Sequence, residues 1–339
     1  MRAVILRNHL APGDNIVLTA ALRDFQRLYP GEFAFDVRCP CPDIWLNNPH
    51  LTALTDQDPS VESLDLQCPL IQWSNRRPCH FLEGFGNYMG FVLDREFQLT
   101  EFRGDIHLTP FEQARPSRVA HLLGADLPFW LVAAGGKFDI TAKWWSYRRY
   151  QQVIDHFQDR ILFVQAGELG NYHPPLRGVL DLRGTTTLRE LILLMRHAEG
   201  VLCGITSLMH LAAAVPTRPD RPTLRPCVVV AGAREPLHWE AYPGHQFLHT
   251  IGSLPCCAEG ACWRSRTLPL HDDDENDAPE RLCLDVHGDL PRCMHLISAH
   301  DVIRAIERYL EGGAARCLTP PQASLARPHL RSEVPAPYA

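Results

Sequence analysis

The stretch Gly200-Val201-Leu202-Cys203-Gly204-Ile205-Thr206-Ser207-Leu208-Met209-His210-Leu211-Ala212-Ala213-Ala214 constrains the fold most. It reads as a buried strand, a glycine turn and a helix opened by hydroxyls. Residues 201–203 form a short apolar run before Gly204, and Thr206 and Ser207 offer N-cap oxygens to the helix-favouring run 208–214. A helix start leaves free N–H groups and a positive dipole end, where an anion can sit. A second apolar run, 227–231, ends in Gly232-Ala233-Arg234-Glu235-Pro236, where open parallel sheets place their ligands. Two such turns suggest a nucleotide. The plainer alternative is that Thr206 and Ser207 only cap a packed helix.

The same alternation runs along most of the chain. A strand at 3–6 leads through Ala11-Pro12-Gly13-Asp14 to a helix at 15–28, stopped by Tyr29-Pro30-Gly31, and a strand at 33–38. This βαβ order implies a parallel sheet with right-handed crossovers. Residues 40–109 are less regular, with a helix expected at 81–97, and another follows at 111–123. A second unit repeats strands at 129–134, 161–165, 179–182, 201–203 and 227–231, with helices at 146–157, 187–197 and 208–214, the pattern of a doubly wound sheet. The expected domains are 1–125 and 126–313. The acidic segment 271–277 reads as an exposed loop, a last helix is expected at 301–310, and the Pro-, Ala- and Arg-rich residues 314–339 read as a disordered tail.

A length of 339 residues suits two domains, and a net charge of -6 argues against a nucleic-acid partner. The N-terminus has too few apolar residues between charges for a signal peptide or a membrane span, which predicts a cytoplasmic protein and leaves only peripheral membrane contact open. Twelve cysteines without a secretion signal then point to reduced thiols rather than a disulfide framework. Five of them, Cys256, Cys257, Cys262, Cys283 and Cys293, fall within a loop-rich segment. Four thiolates can hold one tetrahedral Zn or Fe ion. The expected set is Cys257, Cys262, Cys283 and Cys293, with Cys256 as the alternative to Cys257; His271, His287 or His295 could replace one thiolate. Four protein ligands leave no open position, so such an ion would be structural.

Asp14, between the first strand and the first helix, is the best general-base candidate. It could equally be an N-cap bonding the N–H groups of Ile16 or Val17, and the helix end would then lower its pKa. Lys143 in Thr141-Ala142-Lys143-Trp144-Trp145 follows the Gly135-Gly136 turn and can neutralise a diphosphate, or simply be a surface lysine beside two aromatics. Glu168, in the turn after Gln165-Ala166-Gly167, and Glu235 can accept from a ribose or sugar hydroxyl, while Trp239 reads as core.

Taken in order, Gly13-Asp14 with Thr19-Ala20-Ala21-Leu22 and Tyr29-Pro30, Lys143-Trp144, Gln165-Ala166-Gly167, Leu188-Arg189-Glu190-Leu191, Thr206 with His210-Leu211-Ala212-Ala213-Ala214, and Glu235-Pro236 resemble glycosyltransferase family 9, the ADP-heptose:lipopolysaccharide heptosyltransferases. The resemblance covers most of residues 1–312. It implies an α/β GT-B fold, two Rossmann-like doubly wound domains facing a cleft, with the donor held mainly by the C-terminal one. It further implies inverting transfer from an ADP-sugar to a lipopolysaccharide-core or protein hydroxyl, with no metal needed for the transfer. The family's base position falls on Asp14 and its phosphate-side lysine on Lys143. The donor-binding set it suggests is Gly13, Gln165, Glu168, Thr206, Ser207, His210 and Glu235. Where the family usually has Asp-Thr-Gly, this chain has Ile205-Thr206-Ser207, a departure at the sugar contacts. The Cys-rich segment 256–293 is similar to the bacterial autotransporter heptosyltransferases, which by that resemblance bind iron through cysteines and glycosylate protein serines. The rival class is a non-catalytic nucleotide- or metal-binding protein that kept the fold; the presence of both Asp14 and Lys143 argues against it.

Overall fold

The computed structural model describes residues 1–312; the expected tail, 314–339, lies outside them. Strand β1 (Arg2–Arg7) is central in a three-stranded sheet, between β2 (Phe33–Arg38) and β3 (Glu62–Asp65), and pairs with both in parallel. Helix α1 (Pro12–Leu28) covers this sheet and begins three residues earlier than its apolar period suggests. Proline suits a first helical position because its missing N–H would be unpaired there anyway. The N-cap is therefore Ala11, without a side-chain bond, and Asp14 sits inside the first turn rather than capping it.

Helix α2 (Phe81–Leu93) packs on α1. It starts in a capping box between His80 and Glu83 and stops short of the expected residue 97, because Asp94 turns left-handed. The single helix expected at 111–123 is two, α3 (Pro110–Ala114) and α4 (Arg118–Leu123). Pro116 disfavours helical backbone at Arg115, and Ser117 caps the second piece.

The second sheet is built from β4 (Phe129–Ala133), β5 (Leu162–Gln165), β6 (Leu180–Asp181), β7 (Gly200–Gly204), β8 (Cys227–Gly232) and β9 (His245–His249). Its order is β6-β5-β4-β7-β8-β9, all parallel. Strand β9, HQFLH, has no long apolar run and closes the edge. Helices α5 (Tyr147–Phe157), α6 (Leu188–His197), α7 (Ser207–Ala214) and the short α8 (Leu237–Glu240) follow their strands, and α9 (Arg292–Leu296) and α10 (Ala299–Leu310) end the described chain. Both sheet faces are covered, as parallel sheets require. Along β4, Phe129, Leu131 and Ala133 join a core shared with α1, α2, α6 and α7, while Trp130 and Val132 join one with α5 and α10.

The strand order reverses between β4 and β7, so their carboxyl ends open on one crevice, the usual place for a ligand in such sheets. Lys143 follows β4 and Thr206 follows β7.

The acidic run 271–277 is the exposed loop expected, tied down at its carboxylates. Arg266, 1% exposed, donates to Asp272 and Asp277 and lies 3.5 Å from Asp274. A buried guanidinium needs counter-charge, and this run supplies it. Among the described residues no helix is long and apolar enough to cross a membrane.

Candidate functional site

Two helix starts meet at the crevice. A Cβ on Gly13 would lie 3.1 Å from His210 Cδ2 and 3.8 Å from Ser207 Cα, so glycine lets the start of α1 approach the start of α7 without displacing the imidazole. Thr206 is the N-cap of α7: Leu208 N–H donates to its Oγ1 at 3.3 Å. The capping alternative is thus realised, with the remaining N–H groups of the turn and both positive helix ends beside the crevice. Gly135, which ends β4's loop at φ 104°, is equally constrained; a Cβ there would fall 1.9 Å from Tyr172 O. That turn leads the chain back to Lys143.

Lys143 Nζ lies 2.8 Å from Glu235 Oε1, and Arg234 also donates to Glu235. Burial works to raise the Glu235 pKa, but Lys143 and Arg234 outweigh it and hold the carboxyl at about 2. Its neighbour Glu240 is buried as well, and burial together with the Glu235 charge pushes its pKa well up. Glu235 Oε2 and Glu240 Oε2 are both buried without another partner. One proton on Glu240, shared toward Glu235, satisfies both oxygens. Two cations then face one carboxylate, leaving a net positive charge.

His210 stands behind Gly13. Its Nδ1 shares a 2.7 Å hydrogen bond with Tyr242 Oη, and its Nε2 lies 3.6 Å from Glu240 Oε2. Burial, reinforced by Lys143, lowers its pKa to about 3, so the ring is neutral. It positions the contact between the two helix starts.

Asp14 corrects the expectation drawn from the helix end. Burial raises its pKa to about 6, Glu235 adds to the rise, and its own N–H, Lys143 and Lys137 pull it back. Desolvation exceeds the pull of the helix end and the nearby lysines. A carboxylate near 6 is mostly ionised at neutral pH and is a better-matched base than an ordinary aspartate.

Gln165 lies outside this group. Its amide donates to Pro174 O and accepts from Leu176 N–H, wholly buried. Glu168 is exposed and accepts from Asn171; with Lys137 and Asp14 it acts electrostatically on Cys41. Lys137, Arg234, Glu240 and Cys41 were not singled out from the sequence. Lys137 could have been, since it directly follows Gly135-Gly136 after a strand. Trp239 is core, stacked on Phe81 at 5.2 Å.

The two units are also pinned by Arg189 of α6. Its guanidinium makes a two-pronged bond to Glu112, at 2.7 Å on each side, and donates to His107 O; its backbone N–H donates to Asp43. That bond to Arg189 holds the Glu112 carboxyl at about 2.

All five clustered cysteines line one cavity of about 20 Å³, and each is a free thiol. The donor set suits a thiophilic ion. Cys257, Cys262 and Cys283 act electrostatically on Cys256, Cys262 acts on Cys283, and Cys262 and Cys283 act on Cys293; Cys257 Sγ also donates to Thr250 O and Leu254 O. Cys256 and Cys257 lie in a 3-10 turn at Pro255–Cys257. Among the described residues no three of these sulfurs come within 4.8 Å of one another, so the thiols would draw inward around an ion.

Two parallel sheets with a crevice at the strand-order reversal are the architecture of a GT-B fold. Residues 89–242 match the model of glycosyltransferase family 9 (heptosyltransferase), the family that the motifs resemble. No curated protein matches the chain. Among solved structures it is similar to a family 9 glycosyl transferase from Veillonella parvula, with TM-score 0.60 and 12% identity over 91% of this chain and 97% of that one. It is also similar to the iron-containing dodecameric glycosyltransferase TibC from enterotoxigenic E. coli, with TM-score 0.60 and 16% identity over 91% of this chain and 76% of that one. The E. coli ADP-heptose lps heptosyltransferase II gives TM-score 0.54 and 13% identity over 91% and 98%.

Proposed function

We propose that this chain is an inverting glycosyltransferase that moves a heptose, or a related sugar, from an ADP-sugar to a hydroxyl of a lipopolysaccharide core or a protein, acting in the cytoplasm. The reading divides the chain into an acceptor-side domain, 1–125, and a donor-side domain, 126–313. Asp14 takes the proton of the acceptor hydroxyl as its oxygen attacks the anomeric carbon. The bond to the diphosphate breaks on the opposite face, and the negative charge gathering on the ADP is met by Lys143 and by the helix start at Thr206 and Ser207. Arg234 stands behind Lys143 and keeps Glu235 from cancelling it. A closed crevice excludes water, which would otherwise accept the sugar.

The observation that carries this reading is the Asp14 carboxyl, raised to about 6 where two helix starts and Lys143 converge. The choice of ADP-heptose rests on TibC, whose structure is known in complex with ADP-D-beta-D-heptose. TibC also contains iron, and here Cys257, Cys262, Cys283 and Cys293, with Cys256 as the alternative to Cys257, would hold such an ion as a structural cross-link, outside the transfer. The test is nucleotide release from a panel of ADP-, UDP- and GDP-sugars in the presence of lipopolysaccharide core or an autotransporter-type protein. Release from an ADP-sugar supports the reading. Preference for UDP or GDP donors overturns the donor, and binding of nucleotide without turnover of any donor favours the non-catalytic class.

A further inference from the structure

We propose that His50, Asp105 and His107 form a binding site for a divalent first-row transition metal ion, distinct from the cysteines and from the donor cluster. Each residue presents one ligand atom, and the three atoms lie within 4.8 Å of one another. No other trio of histidine, cysteine or carboxylate groups among the described residues does so. Asp105 Oδ2 is the centre, 2.7 Å from His107 Nε2 and 3.5 Å from His50 Nε2. Metal bonds of about 2.1 Å place neighbouring ligands about 3.0–3.4 Å apart in tetrahedral or octahedral geometry. These two separations bracket that range, and the third, between the histidines, is within 4.8 Å, so modest side-chain adjustment would seat an ion.

The backbones of the three ligands are held by bonds that leave their tips to one another. Asp105 N–H donates to Thr19 Oγ1 on α1, His107 O accepts from Arg189, and His50 N–H donates to Asn48 Oδ1. Three residues held from three sides, with their side chains converging, form a preorganised site. The charge state fits as well. Burial lowers the His50 pKa, which keeps its ring neutral and able to coordinate. Burial opposes ionisation of Asp105, yet the His107 hydrogen bond and the nearby cations hold its pKa below the ordinary value. Of those cations, Arg23 is paired with Asp24 and Arg27 with Glu101, so neither repels an incoming ion unopposed. Two imidazoles and one carboxylate suit Zn, Ni, Co or Fe(II) rather than Ca or Mg. All three side chains retain partial solvent contact, so water can complete the coordination.

The test is calorimetric titration of the full chain, as purified, with Zn²⁺ and then with Co²⁺ followed by its absorption spectrum. The wild type should take up one equivalent whose Co²⁺ form lacks a thiolate charge-transfer band, and Zn²⁺ should raise its melting temperature. His107→Gln, which keeps a hydrogen bond to Asp105, and His50→Gln should each weaken this uptake by more than the roughly 10–100-fold typical of losing an outer-shell partner. Cys262→Ser should leave it intact. Absence of uptake by the folded wild type overturns the proposal. So does uptake that disappears in Cys262→Ser while persisting in the two histidine variants.

Discussion

Asp14→Asn separates a working base from a structural carboxylate because the two roles move activity and stability in opposite directions. Asp14 ionises at about 6 in the folded chain, against an ordinary value of 3.8. Between those two values the folded state holds the proton more tightly than the unfolded chain, so stability declines as pH rises through the window and stays lower above it. Holding the charge at neutral pH costs roughly 1–3 kcal/mol, the lower figure allowing for residual solvent at this half-buried group. Asparagine removes that cost. The variant should therefore be as stable as the wild type at low pH and more stable at neutral pH, by a few degrees in Tm, since each kcal/mol is worth about 2–4 °C or less in a chain this long. Its turnover should fall by about 10²–10⁴-fold. In the wild type, kcat/KM should drop tenfold per pH unit below about 6. Two measurements check this, sugar transfer against pH and thermal melts at acidic and neutral pH. A variant that loses activity and stability together would refute the argument, as would an acid limb that Asp14→Asn leaves in place.

Three further outcomes follow. Lys143→Ala should weaken ADP binding by about 1.5–3 kcal/mol in calorimetry, the worth of a charge-assisted bond to phosphate; unchanged affinity would remove Lys143 from the phosphate side. Arg189→Met should lower Tm by an amount matching about 1.5–3 kcal/mol, because it removes the guanidinium from the largely buried Glu112, leaving it only its Thr109 bonds, and unties His107 O, and a shift equivalent to less than about 1 kcal/mol would mark the pair as a surface one. Elemental analysis of protein purified without chelator should find Fe or Zn that Cys262→Ser releases, and transfer should survive its loss in part; less than about a tenth of an equivalent would sink the cysteine site.

The sheet strands were legible because parallel strands buried on both faces become apolar runs, and 129–134 and 227–231 could hardly be anything else. Strand β9 was not, since an edge strand such as HQFLH needs neither alternation nor a run. The helix start at Pro12 was misplaced by reading Asp14 as a cap, when proline itself opens the helix. At the site, Asp14, Lys143, Thr206 and Glu235 were found from their places after strands. The direction of the Asp14 pKa was not, because a sequence reveals a helix end but not how much water the fold takes away. Glu240 and Arg234 escaped for a related reason: their meaning lies in the two oxygens that only the packed structure leaves without partners. Gln165 matched a family motif, yet its amide is consumed within its own loop.

The close passage of Gly13 against His210 continues at Gly104, where a Cβ would come within 2.9 Å of Ala214 Cβ and of Ile16. The two units thus touch along a seam that has no spare volume, and a single methyl group would act there as a shim. Gly104→Ala, placed away from every charged group of the crevice, offers a way to wedge the units apart without altering the chemistry. Graded shims, alanine then serine then valine, would calibrate how far the crevice must shut before a sugar is passed to a hydroxyl rather than to water.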